Sequence, residues 1–105
     1  MTSIFTNDFD TCAITHIHRG ARRIECHHVY GGSNRKRSTR YGFVIPLVDV
    51  IHINGSAAND KECKRLTGRS LKDLDLDLKR TCQRYYETNI GTRRNFINEF
   101  GRSYL

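Results

Sequence analysis

The sequence predicts one α+β domain, in which a β-hairpin is followed by helices. Its 105 residues leave room for a single hydrophobic core. Residues up to about Val50 are rich in glycine, β-branched and aromatic residues, whereas those from about Asp60 onward repeat apolar side chains at helical spacing. We therefore expect one domain over residues 1–105, with a hairpin core over about 22–60 and a helical part over about 60–105.

Two β-prone runs predict the hairpin. The first covers residues 24–30 and stops at Gly31-Gly32, a dipeptide that favours chain reversal. The second covers residues 41–48 and contains Pro46, which cannot donate a ladder hydrogen bond. The second strand should therefore be short or lie at an edge. The polar, basic residues 33–40 between the runs predict a long loop.

A capping-box pattern predicts the start of a long helix at Ser70, with Asp73 reaching back to the N-cap. The residues that follow form one apolar stripe, made of Leu71, Leu74, Leu78, Cys82 and Tyr85. Glycine at position 91 should end this helix.

Two shorter helices complete the predicted fold. Thr92 should cap a final helix that ends at Gly101 and turns Phe96, Ile97 and Phe100 inward. Residues 60–66 form a weaker helix candidate.

The charge balance indicates a polyanionic partner. Eighteen Lys and Arg face eleven Asp and Glu, which gives a net charge of +7 and a pI near 9.6. Such a surplus attracts nucleic acid or an acidic protein, although a solvated charged face is the alternative. Arginine suits the forked contacts that phosphates accept. We expect DNA contact through Arg22, Arg23, Arg35, Lys36, Arg37 and Arg40.

The sequence predicts a location in the cytoplasm. No stretch approaches the roughly 20 apolar residues of a membrane span, so no membrane partner is expected. Residues 1–10 carry two acids and no basic residue, unlike a signal peptide. The four cysteines should therefore stay reduced, and Cys63 and Cys82 should serve packing.

Histidines are the residues most suited to chemistry. His27-His28 closes the first predicted strand, and His52 follows the second. A hairpin would bring them close, so that two imidazoles hold a divalent cation and the third acts as a base. Adjacent strand residues point to opposite faces, however, and residue types alone favour one buried and one solvated histidine.

Beyond these inferences, the segment from Cys26 to His52 resembles the HNH, or His-Me finger, nuclease motif, and nearly the whole chain resembles a small phage-encoded HNH-like group. The residues that carry the resemblance are Cys12-Ala13-Ile14, the run HHVYGGSNRK at 27–36, Tyr41-Gly42, Pro46-Leu47 and the tail at 96–105. The resemblance implies a ββα-metal hairpin in a host bacterial cytoplasm. It makes His27 and His52 metal ligands and His28 the general base, with Mg²⁺, Mn²⁺, Ni²⁺ or Zn²⁺ as the cofactor.

The chain departs from this family in two respects. The family's middle Asn falls near Phe43, which leaves Asn34 as the candidate replacement. Of the Cys-x-x-Cys pairs that often hold a structural zinc, only Cys12 remains, because the second pair would fall at Val48 and Ile51. We therefore expect no structural zinc. A different zinc set, made of Cys12, His16 or His18, and Cys26, has ligand-like spacing.

These features give three functional hypotheses. The first is a metal-dependent endonuclease that hydrolyses DNA phosphodiester bonds. The second is an HNH-derived protein without catalysis, which binds DNA as an accessory factor or inhibits a host defence nuclease complex. The third is an RNA-binding module, for which the basic segment offers only Tyr30 and Tyr41 as stacking residues.

Overall fold

A computed structural model describes residues 1–51, 53 and 56–105. Over these residues the chain forms a two-stranded antiparallel hairpin and four α-helices, which confirms the α+β class. The elements in chain order are β1 (Ile24–His28), α1 (Arg35–Tyr41), β2 (Val44–Val48), α2 (Ala57–Thr67), α3 (Leu71–Asn89) and α4 (Arg93–Phe100). Short 3-10 turns at Gly32–Asn34 and Asp49–Ile51 follow the two strands.

The hairpin is short and centred on Pro46, which lies opposite Cys26. Its last pair joins His28 to Val44. Pro46 cannot donate to the ladder, but its carbonyl oxygen accepts the Ala13 N–H at 3.0 Å. The short strand predicted from Pro46 is therefore confirmed, and the N-terminal segment is attached to it.

The basic segment between the strands is a helix, so the prediction of a loop was wrong. Residues 35–41 form α1, which ends at Gly42 in the left-handed conformation (φ 77°). Like charges four residues apart, at Lys36 and Arg40, disfavour this helix only slightly. An isolated helix of this length is unstable in water, so tertiary contacts must hold it.

Helix α3 starts where the sequence predicts, since the Ser70 side chain accepts the Asp73 N–H at 3.0 Å. The predicted stripe is buried as far as Cys82. Tyr85, however, is 40% exposed, and Tyr86 is buried in its place. A tyrosine needs a partner for its hydroxyl when buried, and Tyr86 finds one in Glu99 at 2.5 Å.

Helix α4 also follows its predicted caps, and the weaker helix candidate at 60–66 lies within α2. Helix α4 starts at a capping box between Thr92 and Asn95 and ends at Gly101 (φ 95°). Phe96 and Phe100 are buried, but Ile97 is 38% exposed, so its predicted inward position was wrong. One helical step of about 100° separates Ile97 from Phe96 and turns it toward water.

An aromatic cluster joins the hairpin to α3 and α4. The rings of Tyr30 and Phe100 lie 4.6 Å apart, and those of Phe96 and Phe100 lie 4.8 Å apart. Tyr30 also donates its hydroxyl hydrogen to the Lys79 carbonyl oxygen at 2.5 Å. This bond attaches α3 to the residues directly after β1.

No helix in the described part of the chain is long and apolar enough to cross a membrane.

A carboxylate connects three helices. Glu99 of α4 accepts hydrogen bonds from Tyr41 of α1 at 2.6 Å and from Tyr86 of α3 at 2.5 Å. Burial acts to raise the pKa of Glu99, but the two tyrosine hydroxyls and the charges of Arg40 and Arg37 outweigh it, so the pKa is lowered overall. The ionised carboxylate thus stabilises the fold above the pKa that it has in the unfolded chain, and this stability is lost as the pH falls through the folded-state pKa.

Replacing Tyr41→Phe should raise the pKa of Glu99 toward its ordinary value, because one of the donors to the carboxylate is removed. We expect the acid-unfolding midpoint to move to higher pH and the free energy of unfolding at neutral pH to fall by about 1 kcal/mol. Acid and urea titrations followed by circular dichroism measure both. Tyr85→Phe, at an exposed tyrosine, is the matched control. Equal midpoints for the two variants would contradict the prediction.

Candidate functional site

A buried hydroxyl fixes α1 against the end of β1. Ser38 is fully buried, and its Oγ accepts the Tyr30 N–H at 3.0 Å and donates to the Tyr30 carbonyl oxygen at 2.8 Å. The Ser38 carbonyl oxygen in turn accepts the Phe43 N–H at 2.8 Å. The inward side of α1 is therefore bonded to Tyr30, shortly after β1, and to Phe43, directly before β2.

Because Ser38 points inward, the opposite side of α1 points toward water. At about 100° per residue, Lys36 and Arg40 lie opposite Ser38, whereas Arg37 and Arg35 lie about 100° and about 60° from it on the two flanks. All of them are exposed. We call this set the basic face, and it consists of Arg35, Lys36, Arg37 and Arg40.

Next to Ser38, Thr39 contacts the proposed base. His28 Nε2 lies 2.9 Å from Thr39 Oγ1, and Thr39 donates its hydroxyl hydrogen to the Arg35 carbonyl oxygen at 3.2 Å. A hydroxyl has only one hydrogen, so when Thr39 gives its hydrogen to Arg35 it can only accept one from His28 Nε2. In the neutral ring, Nδ1 is then the nitrogen that can accept a proton.

Burial lowers the pKa of His28, and the positive charge of Arg35 lowers it further. Both causes disfavour the imidazolium, so the neutral ring predominates at neutral pH.

The two histidines of the doublet line one depression of about 310 Å³, which we call the histidine depression. Strand β1 contributes Cys26, His27 and His28 to its wall. His27 Nε2 is buried. The structure thus brings both histidines to one depression, because β1 ends at His28.

Helix α3 forms the other wall, and the sequence analysis did not identify its residues. Asp75 and Lys79 line the histidine depression and form an ion pair at 2.8 Å, with both side chains 24% exposed. Their spacing of four residues was visible in the sequence. Nothing local shows which way that side of α3 faces.

A second, more open depression of about 570 Å³ adjoins the first. His28, Gly32 and Arg35 line both, and Lys36 and Thr39 line the second alone. His28 therefore lies between the histidine depression and the basic face.

Asn34, the candidate replacement for the family's Asn, is engaged elsewhere. Its amide nitrogen donates to the Phe100 carbonyl oxygen at 3.2 Å, and its Oδ1 accepts from Arg37 at 3.3 Å. Its side chain thus joins α1 to α4, and Thr39 is the side chain that contacts His28. Phe43, near which the family's Asn falls, is fully buried in the core.

Arg22 and Arg23 do not join the basic face. They precede β1, at the opposite end from His28, and β1 itself spans about 13 Å. Each has an acidic partner, Asp49 at 3.2 Å for Arg22 and Glu25 at 3.5 Å for Arg23.

Of the two metal ligands that the resemblance implies, His52 lies outside the described residues. Among the residues that are described, no group of three or more His, Cys, Asp or Glu side chains is placed to hold a metal. In the alternative zinc set, Cys12 is buried and its Sγ accepts the Thr15 N–H at 3.4 Å. Cys26 is exposed, with its Sγ 3.6 Å from the sulfur of Met1. The structure does not bring that set together.

A comparison of the chain with protein-family models, curated proteins and solved structures finds no match in any of the three. The functional interpretation therefore depends on the motif and on the geometry of the histidine depression.

Removing the Ser38 hydroxyl should loosen α1. Ser38→Ala leaves the Tyr30 N–H and carbonyl buried without their partner, which we expect to lower the free energy of unfolding by about 1–3 kcal/mol. Urea denaturation measures this value. Ser33→Ala, at an exposed serine of the neighbouring turn, should change it by less than about 0.5 kcal/mol. A Ser38→Ala protein as stable as the Ser33→Ala protein would show that the buried hydroxyl does not hold α1.

Proposed function

We propose that this chain is a divalent-metal-dependent endonuclease of the HNH type, which hydrolyses phosphodiester bonds in DNA. The observation that carries the proposal is the shared position of His27 and His28 in one depression, directly beside the basic face. A base, a ligand and a phosphate-binding surface are the parts that metal-assisted phosphodiester hydrolysis requires.

In this proposal His28 is the general base. Thr39 and Arg35 hold its Nε2–H, so Nδ1 takes the proton from the attacking water. Thr39 thereby does the positioning that the resemblance assigns to an Asn. Since Ser38 and Thr39 are neighbours, the anchoring of α1 also sets the orientation of the base.

His27, together with His52 by resemblance, would hold the cation. His27 lines the open histidine depression, and its imidazole is a ligand type that suits Zn²⁺ or Ni²⁺ better than Mg²⁺, which prefers oxygen ligands. When bound, the cation supplies charge stabilisation for the transition state and the leaving oxygen.

The basic face would bind the DNA backbone. Its four exposed cations project into solvent from a short helix that begins next to the His28 wall. Contacts of this kind position the strand without reading its sequence, and they weaken with salt.

Replacing His28→Ala should abolish metal-dependent cleavage and leave folding and DNA binding nearly unchanged, because the ring acts on the water and not on the backbone. A plasmid-nicking assay with Mg²⁺, Mn²⁺, Ni²⁺ and Zn²⁺ measures cleavage. His18→Gln, at an exposed histidine outside both depressions, is the matched control and should cut like wild type.

Failure of the wild-type protein to cut any DNA with any of these cations would refute the nuclease. It would favour the second candidate, a binding protein of HNH ancestry that grips DNA or an acidic host protein. The engagement of Asn34 with Phe100 and Arg37, away from His28, is the observation that favours this candidate.

Replacing Arg35, Lys36 and Arg37 together by Ala should weaken DNA binding by about 1–3 kcal/mol and flatten its salt dependence. Thermal stability should change little, because solvated charges contribute little to folding. Fluorescence anisotropy over a salt series measures the affinity for DNA and its salt dependence. The control is Arg22→Ala with Arg23→Ala, at the far end of β1. An unchanged salt slope in the triple variant would mean that DNA binds elsewhere or that the partner is an acidic protein.

A further inference from the structure

Lys79 is held in place more firmly than an ordinary surface lysine. Its Nζ lies 2.8 Å from Asp75 Oδ2 and 5.5 Å from the centre of the Tyr104 ring. Its carbonyl oxygen accepts the Tyr30 hydroxyl, which ties this turn of α3 to the hairpin. The ammonium group is therefore fixed at the wall of the histidine depression before any ligand arrives, which lowers the entropy lost on binding.

A second cation and an open backbone line the same depression. Arg35 lines it, as do Gly31 and Gly32. A Cβ atom at either glycine would meet no atom within 4 Å, and Gly32 has a φ of +58°. The glycines therefore leave room for a ligand to approach the main chain closely.

The charge of the depression suits one phosphate group. Lys79 and Arg35 bring two positive charges and Asp75 one negative charge, which leaves one positive charge when the histidines are neutral. Lysine binds phosphate as a point charge, and arginine binds it through a planar fork.

We infer that Lys79 and Arg35 bind one phosphate group of the nucleic-acid strand in the histidine depression, with Asp75 as the partner of Lys79 while the site is empty. The inference rests on the proposed function for the identity of the strand, and it adds a phosphate subsite on α3 that lies outside the HNH-like hairpin. It places that phosphate next to His27 and His28.

The pair Asp75–Lys79 allows a test in which two substitutions should change the affinity for DNA in opposite directions. Lys79→Gln should weaken binding of a short DNA duplex about tenfold, the loss of one charged phosphate contact. Asp75→Asn should tighten binding, because it removes a negative charge and releases Lys79. Lys79→Arg should restore most of the affinity. Arg84→Gln, at an exposed arginine of the same helix, is the control for net charge and should stay within about twofold of wild type at moderate salt.

An NMR titration with inorganic phosphate separates this inference from the proposed function. In the wild-type protein phosphate should shift the His27 and His28 ring signals and the Gly31 and Gly32 amides, and Lys79→Gln should abolish these shifts. If the wild-type protein binds no DNA but shows the phosphate-induced shifts, the phosphate subsite is supported and the proposed nuclease activity is refuted. If wild type binds DNA, and Lys79→Gln and Asp75→Asn bind equally well, the pair serves only the helix and the inference is overturned. Melting curves of all variants confirm that each remains folded.

Discussion

The placement of α1 beside the histidine doublet depends on the buried hydroxyl of Ser38. Helix α1 has seven residues and carries four like charges, so it cannot form by itself. The two hydrogen bonds from Ser38 to the main chain of Tyr30 fix both its place and its rotation. That rotation brings the next residue, Thr39, to His28 and turns the basic side chains to solvent. The hydrogen bonds of one small residue thus set both the rotation of α1 about its axis and the contact that orients the His28 ring.

Tyr30 extends the same constraint to the other side of the site. Its main chain binds Ser38, its ring lies among the rings of α4, and its hydroxyl binds the Lys79 carbonyl oxygen. Burial raises the pKa of this hydroxyl, which stays protonated and can donate. Because Tyr30 lies two residues beyond His28, it sets how far α3 stands from the histidine doublet. The two walls of the histidine depression are consequently connected through one side chain.

The caps and the apolar stripe were predictable because they are local. Ser70, Thr92 and Gly101 act on main-chain groups within a few residues, and Leu71, Leu74 and Leu78 obey the helical period. The helix at 35–41 was not predictable, since glycine, serine and a run of charges favour a loop, and contacts outside the helix, such as Ser38 with Tyr30 and Tyr41 with Glu99, override them. In the site, the doublet His27-His28 is a motif of neighbours. Asp75 and Lys79 reach it across more than forty residues of chain, and no local pattern indicates which way they face.

Cysteine chemistry gives the histidine depression a built-in reporter. All four cysteines lie in the described part of the chain, and three of them, Cys12, Cys63 and Cys82, are buried. Cys26 is exposed and lines the histidine depression. Burial raises the pKa of its thiol, an effect that the charge of Arg35 opposes, so alkylation will be slow at neutral pH and faster in mild alkali. A single fluorophore or spin label can therefore be attached beside the histidines of the native chain, without engineered cysteines, and its signal will report when the depression is filled.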